Sequence, residues 1–269
     1  MIFRLRQTYH LRYLMYGAAL ILVMGIFIPE QGSCQKSKPV SSINQRDSQA
    51  LTALNDAISA LGGTQLLRGG GSIAIGSETQ GTETSQFIWK NSGEEFRYET
   101  TGSTGQPTII VSGHGSPRAS QQGQEVALPA EVRETDIPFL LTAYKLASLI
   151  SDSNVSLTYL GMQTLNGNPS TAIRTWNTAD QLVSRITLET WYFDPHSRLP
   201  IAVEYFAPNL ARRGEGSYVT TYFSDYKEQN GMQIPFAVET QMDGMSPVRI
   251  TIQSIAFDQD IEVSQFDLK

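Results

Sequence analysis

The sequence has 269 residues, of which 40% are hydrophobic, and it carries 20 Lys and Arg against 26 Asp and Glu, for a formal charge of −6. A chain of this length and composition can bury a substantial core. Its excess of acidic over basic residues argues against nucleic acid as a partner, because binding to phosphates requires a basic face. The single cysteine, Cys34, excludes an intrachain disulfide framework.

The first 34 residues have the pattern of an export signal. Three arginines precede a continuous apolar run from Leu14 to Ile28, which is shorter than the about 20 residues of a membrane-spanning helix. We therefore predict that residues 1–34 are a signal peptide or a membrane anchor and that the chain is exported. Gln31-Gly-Ser-Cys34 resembles a bacterial lipobox except at Gln31, so Cys34 is a lipidation candidate, with ordinary signal-peptidase cleavage near Ser33 or Cys34 as the alternative.

Residues 35–47 are polar and are predicted to form a flexible tether, after which two stretches have helical periodicity. From 48 to 61, leucine and isoleucine recur at three- and four-residue spacing, and Gly62-Gly63 ends the pattern. A second apolar stripe of helical period lies between 128 and 150. The sequence therefore predicts two helices, each with one apolar face.

Strand patterns separate the two helices and follow the second one. Before it we predict strands at 72–76, 82–90, 94–100 and 107–112, and after it a hairpin of 155–163 and 171–176. Residues 112–124 are rich in Gly, Ser and Gln, show no hydrophobic pattern and are predicted to be a loop.

The last third of the chain, 184–266, reads as one antiparallel meander. Its segments are rich in β-branched and aromatic residues, and turn signals such as Asn230-Gly231 separate them. The order of helix, strands, helix and strands predicts an α+β fold in which both helices lie on one face of a long antiparallel sheet.

Both faces of the predicted meander carry large apolar side chains. In a sheet with one solvent-exposed face, apolar and polar residues alternate along each strand. Tyr218 and Tyr222 share one face of their strand, while Val219 and Phe223 lie on the other. Two interpretations follow. Either helices cover one face and scattered aromatics are exposed on the other, or the sheet is curved and its apolar concave face binds a lipid-like ligand.

No residue pattern predicts catalysis, a metal site or a cofactor. His114 and His196 have no second histidine or cysteine at ligand spacing, and the sequence contains no Gly-x-Ser-x-Gly elbow. Asp258, Asp260 and Glu262 lie at strand period, which fits either a calcium site or a solvated edge, and the edge is the better explanation. We therefore predict that the protein is not an enzyme.

Several short motifs resemble the periplasmic lipoprotein-carrier fold of LolA and LolB. They are Asp194-Pro-His-Ser-Arg-Leu-Pro200, Asp225-Tyr226 ahead of Asn230-Gly231, Pro235, and Ile255-Ala-Phe257 through Phe266. The resemblance implies a half-barrel of antiparallel strands wrapped around helices, with an apolar cavity that shields acyl chains. It also implies that 48–269 is a single half-barrel domain, located in the periplasm or anchored to the membrane and facing the periplasm.

These observations predict an exported envelope protein that binds a lipid or another hydrophobic ligand, such as a lipoprotein acyl chain. The membrane would be a partner through the leader or through a lipid on Cys34. The candidates for lining the cavity are Trp89, Trp191, Phe193, Tyr205, Tyr222 and Phe236. The alternative is a non-catalytic structural or protein-interaction module of the envelope, with its core filled by its own side chains and an envelope protein as partner.

Overall fold

A computed structural model describes residues 46–63, 70–92, 95–102, 105–112, 118–126, 142–178, 187–208 and 216–268. The predicted leader, Cys34 and all but the last two residues of the predicted tether lie outside these ranges. Within these ranges the helices are α1 (Ser48–Ala60), α2 (Thr142–Ser151) and a short 3-10 helix, η1 (Val263–Phe266).

Thirteen strands in the described part of the chain form one sheet. They are β1 (Gly71–Gln80), β2 (Glu83–Ser92), β3 (Glu95–Thr101), β4 (Pro107–Ser112), β5 (Arg118–Gln121), β6 (Gln124–Val126), β7 (Val155–Leu165), β8 (Asn168–Asn177), β9 (Glu189–Phe193), β10 (Pro200–Pro208), β11 (Gly216–Gln229), β12 (Met232–Met242) and β13 (Val248–Gln259). All pairs of neighbouring strands are antiparallel.

The sheet consists of two meanders that join edge to edge. Its spatial order runs from β6 down to β1, then from β13 down to β7, so the first strand pairs with the last. The junction extends from Gly71 opposite Gln259 to Gln80 opposite Val248. The sheet remains open, with β6 and β7 at its two edges.

Helix α1 crosses the C-terminal meander and is fixed at both ends. Asp47 caps its start, because the carboxylate accepts from the Gln49 N–H at 2.8 Å while the Asp47 N–H donates to the Leu157 carbonyl of β7 at 3.0 Å. At the other end, the Gln233 N–H of β12 donates to the Leu61 carbonyl at 2.9 Å. Its buried residues Ala50, Leu54 and Ala57 belong to the hydrophobic core.

Helix α2 packs beside α1 over the same face of the sheet. Ala143, Leu146 and Leu149 are buried in the core cluster that also contains the inner residues of α1. The guanidinium of Arg46, just before α1, donates to the Ile150 carbonyl at 2.6 Å and to the Asp152 carbonyl at 3.0 Å. These contacts tie the end of α2 to the start of α1, and the structure confirms the predicted α+β half-barrel with helices on the concave side of the sheet.

The predicted loop at 112–124 is wrong in part, because its second half is a hairpin. Strand β5 pairs with β4 and β6 pairs with β5. The two residues between β5 and β6, Gln122 and Gly123, have φ of 53° and 74°, as a two-residue hairpin turn requires. The strands themselves are short and polar, so pairing with the sheet edge, not side-chain pattern, makes them strands.

Gly76 of β1 gives rise to a first prediction about stability. A Cβ at this position would lie 2.6 Å from Cε1 of the Phe87 ring and closer still to the Thr251 carbonyl oxygen. Because neither the ring nor the backbone of β13 can yield without loss of packing, we expect Gly76→Ala to lower the free energy of unfolding by about 2 kcal/mol. Urea unfolding followed by circular dichroism measures this.

The matched control is Gly70→Ala, just before β1, where the nearest atoms to an added Cβ are at 3.4 Å, an ordinary contact distance. We expect that variant to change stability by less than about 0.5 kcal/mol. Equal effects at both positions would contradict the packing argument.

Candidate functional site

The face of the sheet that packs against α1 and α2, which we call the concave face, is mainly apolar over both meanders. Side chains on it alternate with those on the convex face, as the pleat of a strand requires. Its buried members in the core cluster are Ala74, Phe87, Trp89, Leu157, Ile173, Trp191, Phe193, Val203, Tyr205, Val219, Phe223, Ile234, Phe236, Val238 and Ile252. One continuous apolar surface thus runs from β2 through β1 and β13 to β7.

Small residues on β1 make room for the large rings of β2. Ala74 lies opposite Trp89, and Gly76 lies opposite Phe87. The Phe87 ring in turn contacts the Tyr98 ring of β3, with ring centroids 5.6 Å apart. Aromatic side chains therefore line the concave face of the N-terminal meander next to the β1–β13 junction.

The structure brings five of the six predicted lining residues to the concave face. They are Trp89, Trp191, Phe193, Tyr205 and Phe236, and all five are buried. On β9 and β10, Trp191 lies opposite Val203, and the Trp191 ring stacks on Phe223 of β11 with centroids 6.1 Å apart.

The sixth predicted residue, Tyr222, lies on the convex face. Its strand turns Val219 and Phe223 toward the core, which directs Tyr222 and Tyr218 outward. The Tyr222 hydroxyl accepts from Asn166 Nδ2 at 3.1 Å. Tyr222 is therefore not part of the concave lining that the structure describes.

The aromatic side chains on the convex face are partly exposed, and some of them form hydrogen bonds with polar side chains. Tyr218 is 67% exposed and meets the Phe206 ring edge-on at 5.7 Å between centroids. The Tyr192 hydroxyl donates to Glu204 Oε2 at 2.6 Å, and burial together with this carboxylate raises the pKa of Tyr192 well above its ordinary value. The two faces thus differ, since the concave aromatics pack in the core and these convex ones meet polar partners or solvent.

A buried ion pair fixes α2 to the sheet. Lys145 Nζ of α2 lies 2.9 Å from Glu189 Oε1 of β9, and the two side chains are only 15% and 10% exposed. The second carboxylate oxygen, Oε2, accepts from the Trp191 indole N–H at 2.8 Å. No sequence pattern marked Glu189 or Lys145 as part of a site, although Glu189 stands at the same strand parity as Trp191 and Phe193.

A second polar pair lies on the concave face of the N-terminal meander. The Tyr98 hydroxyl donates to Glu78 Oε2 at 2.7 Å. Burial raises the pKa of the Glu78 carboxyl, and the hydrogen bond from Tyr98 opposes this shift. Burial and the neighbouring Glu78 raise the pKa of Tyr98 well above its ordinary value. No sequence pattern indicated this pair either, because Glu78 and Tyr98 belong to strands that are not adjacent.

Within the described ranges, no group of three His, Cys, Asp or Glu side chains is arranged to hold a metal ion. Asp258, Asp260 and Glu262, weighed above as a calcium site, are exposed. None of the helices in those ranges has the length and apolarity needed to span a bilayer.

Comparison with family models gives no match, and no curated protein matches the sequence. Solved structures do match. A domain described as an outer membrane lipoprotein-sorting protein from Vibrio parahaemolyticus has a TM-score of 0.55 at 14% identity, with 81% of this chain and 96% of that one covered. A LolA superfamily protein from Nitrosomonas europaea has a TM-score of 0.55 at 10% identity, with coverages of 81% and 97%.

A third solved structure, a DUF1329 family protein from Desulfovibrio piger, has a TM-score of 0.51 at 12% identity, with 82% of this chain and 99% of that one covered. Each of the three structures is matched over nearly its whole length. They confirm the LolA-like fold that the turn motifs implied.

The Glu78 carboxyl generates a prediction about pH. Because its pKa in the folded state is raised above the ordinary value of 4.5, the folded protein holds this proton more tightly than the unfolded chain does. The contribution of Glu78 to stability is therefore complete below pH 4.5 and is lost as pH rises through the higher folded pKa.

Urea unfolding of the wild type and of Glu78→Gln between pH 4 and pH 8 measures this effect. We expect the stability of the wild type to fall relative to Glu78→Gln as pH rises, since glutamine keeps an acceptor for Tyr98 and cannot ionise. Parallel pH profiles for the two proteins would show that Glu78 does not titrate above its ordinary range.

The Lys145–Glu189 pair generates a prediction about stability. In Lys145→Met, the Glu189 carboxylate stays buried without its cation, so we expect a loss of about 3 kcal/mol in the free energy of unfolding. The double variant Lys145→Met/Glu189→Gln also removes the unpaired negative charge of Glu189 and should recover part of that loss. Chemical denaturation of the two variants measures both effects.

The control is Arg118→Met, which breaks an exposed pair with Glu125 whose side chains are 46% and 58% exposed. We expect it to change stability by less than about 1 kcal/mol. A loss in Lys145→Met no larger than in this control would show that the buried pair does not hold α2.

Proposed function

We propose that this chain is an exported, non-catalytic protein of the cell envelope that binds a lipid or another hydrophobic ligand on its concave face. The observation that carries the proposal is the continuous apolar concave surface, to which strands of both meanders contribute. Such a surface binds chiefly through removal of apolar area from water, about 25 cal/mol per Å², before the costs of association are subtracted.

The fold supports this proposal. Both matched structures with a LolA or lipoprotein-sorting description share the architecture over four fifths of the chain. Trp89, Trp191, Phe193, Tyr205 and Phe236 are the proposed lining, and Tyr222 is left out because its side chain lies on the convex face. Because of the predicted leader, the proposed location is the periplasm or the membrane, with Cys34 as the proposed point of lipid attachment.

One observation favours the alternative, a structural or protein-interaction module with a self-filled core. Trp191, Val203 and Val219 have no exposed surface, so these side chains already pack against one another and the helices. A ligand therefore reaches this part of the concave face only when packed side chains or helices move apart. In the alternative they do not move, and the partner is another envelope protein.

Uptake of a fluorescent fatty acid distinguishes the two functions. We expect delipidated protein to increase the fluorescence of 11-(dansylamino)undecanoic acid, and we expect Phe236→Ala to weaken binding about tenfold, or about 1.4 kcal/mol, because a lining ring is lost. Native mass spectrometry of protein purified from an envelope fraction would identify a lipid that copurifies.

The matched control is Phe206→Ala, which removes a ring from the convex face and should leave the affinity unchanged. Thermal unfolding of both variants separates loss of binding from loss of structure. A wild-type protein that neither takes up the probe nor copurifies with lipid would overturn the proposal in favour of the self-filled module.

A further inference from the structure

We propose that the indole N–H of Trp89 donates a hydrogen bond to the carbonyl oxygen of a bound acyl ester or amide. The ligand would then be an acylated amphiphile rather than a plain hydrocarbon, with its carbonyl end at β1–β3. This inference rests on the proposed function, since it assigns the chemical class of the ligand on the concave face.

Trp89 buries a donor that the protein does not satisfy. The residue is 2% exposed, and within the part of the chain that the structure describes its Nε1 has no hydrogen-bond partner. A buried N–H without an acceptor costs free energy, because it has lost its bond to water and gained nothing in exchange. The ring nitrogen is a donor only, so its missing partner is an acceptor.

The second tryptophan on the same face shows what a satisfied indole looks like here. The Trp191 N–H donates to Glu189, which Lys145 holds in place. The concave face thus provides an internal acceptor for one indole and none for the other. This difference singles out Trp89 as the position where an external acceptor completes the core.

None of the described side chains around Trp89 accepts its N–H. Across the sheet it faces Ala74 on β1 and Tyr98 on β3, and Phe87 lies two residues away on its own strand. Alanine and phenylalanine side chains have no acceptor, and the Tyr98 hydroxyl donates to Glu78 without accepting from Nε1. Asn91, two residues further along β2, accepts from the Ser72 hydroxyl instead.

The same neighbours indicate a neutral acceptor. A ligand carboxylate at Trp89 would be buried close to the Glu78–Tyr98 pair, where loss of hydration disfavours an anion, as burial already does for the Glu78 carboxylate. An ester or amide carbonyl accepts the indole N–H without bringing charge. The polar pair beside it can also receive the hydrophilic end of an amphiphile, while the acyl chain lies along the apolar strands.

Two lipids that differ at the carbonyl test this assignment. They are 1-monopalmitoylglycerol, which has an ester, and 1-O-hexadecylglycerol, an ether with the same chain length and the same free hydroxyls. We expect delipidated wild-type protein to bind the ester about tenfold more tightly than the ether. In protein labelled with 15N-tryptophan, the Trp89 indole proton should move downfield on addition of the ester and stay in place with the ether.

Trp89→Phe and Trp176→Phe are the matched variants, since both replace an indole by a ring without a donor. Trp176 is half-buried and lies on the convex face, opposite Ser156. We expect Trp89→Phe to bind both lipids with equal affinity and Trp176→Phe to keep the preference for the ester. The two variants also assign the indole resonances.

The outcomes separate this inference from the function on which it rests. Equal binding of ester and ether by the wild type, or an unmoved Trp89 indole proton with ester bound, would overturn the role of Trp89 and leave lipid binding intact. A preference for the ester that survives in Trp89→Phe would overturn it too. Binding of neither lipid would instead contradict the proposed function. The indole measurement uses wild-type protein, so it tests the role of Trp89 even when a variant fails to fold.

Discussion

The pairing of β1 with β13 is the interaction on which the rest of the structure depends. It joins two meanders that would otherwise be separate sheets, and it does so between the first and the last strand of the chain. Strands so far apart in sequence pair only after a long stretch of chain has closed into a loop, and this closure costs conformational entropy. Because Gly76 has no side chain, the Phe87 ring lies close to the backbone of β13 at this junction. Ile252, opposite Gly76, continues the apolar surface onto β13. The concave face is continuous because β1 and β13 pack closely at their junction.

The helices are held by polar contacts at their ends and by apolar contacts along their length. Helix α1 is fixed by backbone hydrogen bonds to β7 and β12, so its position follows from the register of the C-terminal meander. Helix α2 is held by Arg46 at one end and by the Lys145–Glu189 pair in its first turn. A buried ion pair adds less to stability than its short distance suggests, because desolvation offsets the attraction, but it defines one position for the helix.

The sequence was sufficient for the elements whose signals are local. Helix α1 was predicted within one residue, and the Asn230-Gly231 turn was recognised because both residues tolerate positive φ, as the observed 54° and 76° show. The face of Tyr222 was not predictable in this way. Alternation shows which residues of a strand share a face, but only pairing with β10, where Tyr222 meets Ala202, decides which face meets the helices. Bulges add to the difficulty, since one shifts the register where Gly76 meets β13. The Glu78–Tyr98 pair depends on three strands in register, and no short stretch of sequence contains that information.

A core and a binding surface make different demands on buried polar groups. A core that is complete by itself satisfies each of them, as this one does for Trp191 through Glu189. Thr175 Oγ1 and Arg46 Nε also have no partner in the described residues, although the other two nitrogens of the Arg46 guanidinium donate to the Ile150 and Asp152 carbonyls. The indole N–H of Trp89 has a direction fixed by its ring and cannot adjust. If the concave face were only a core, an apolar side chain at position 89 would avoid the cost of an unpaired donor. A tryptophan with an unpaired donor at this position is therefore better explained by an acceptor that arrives from outside the chain.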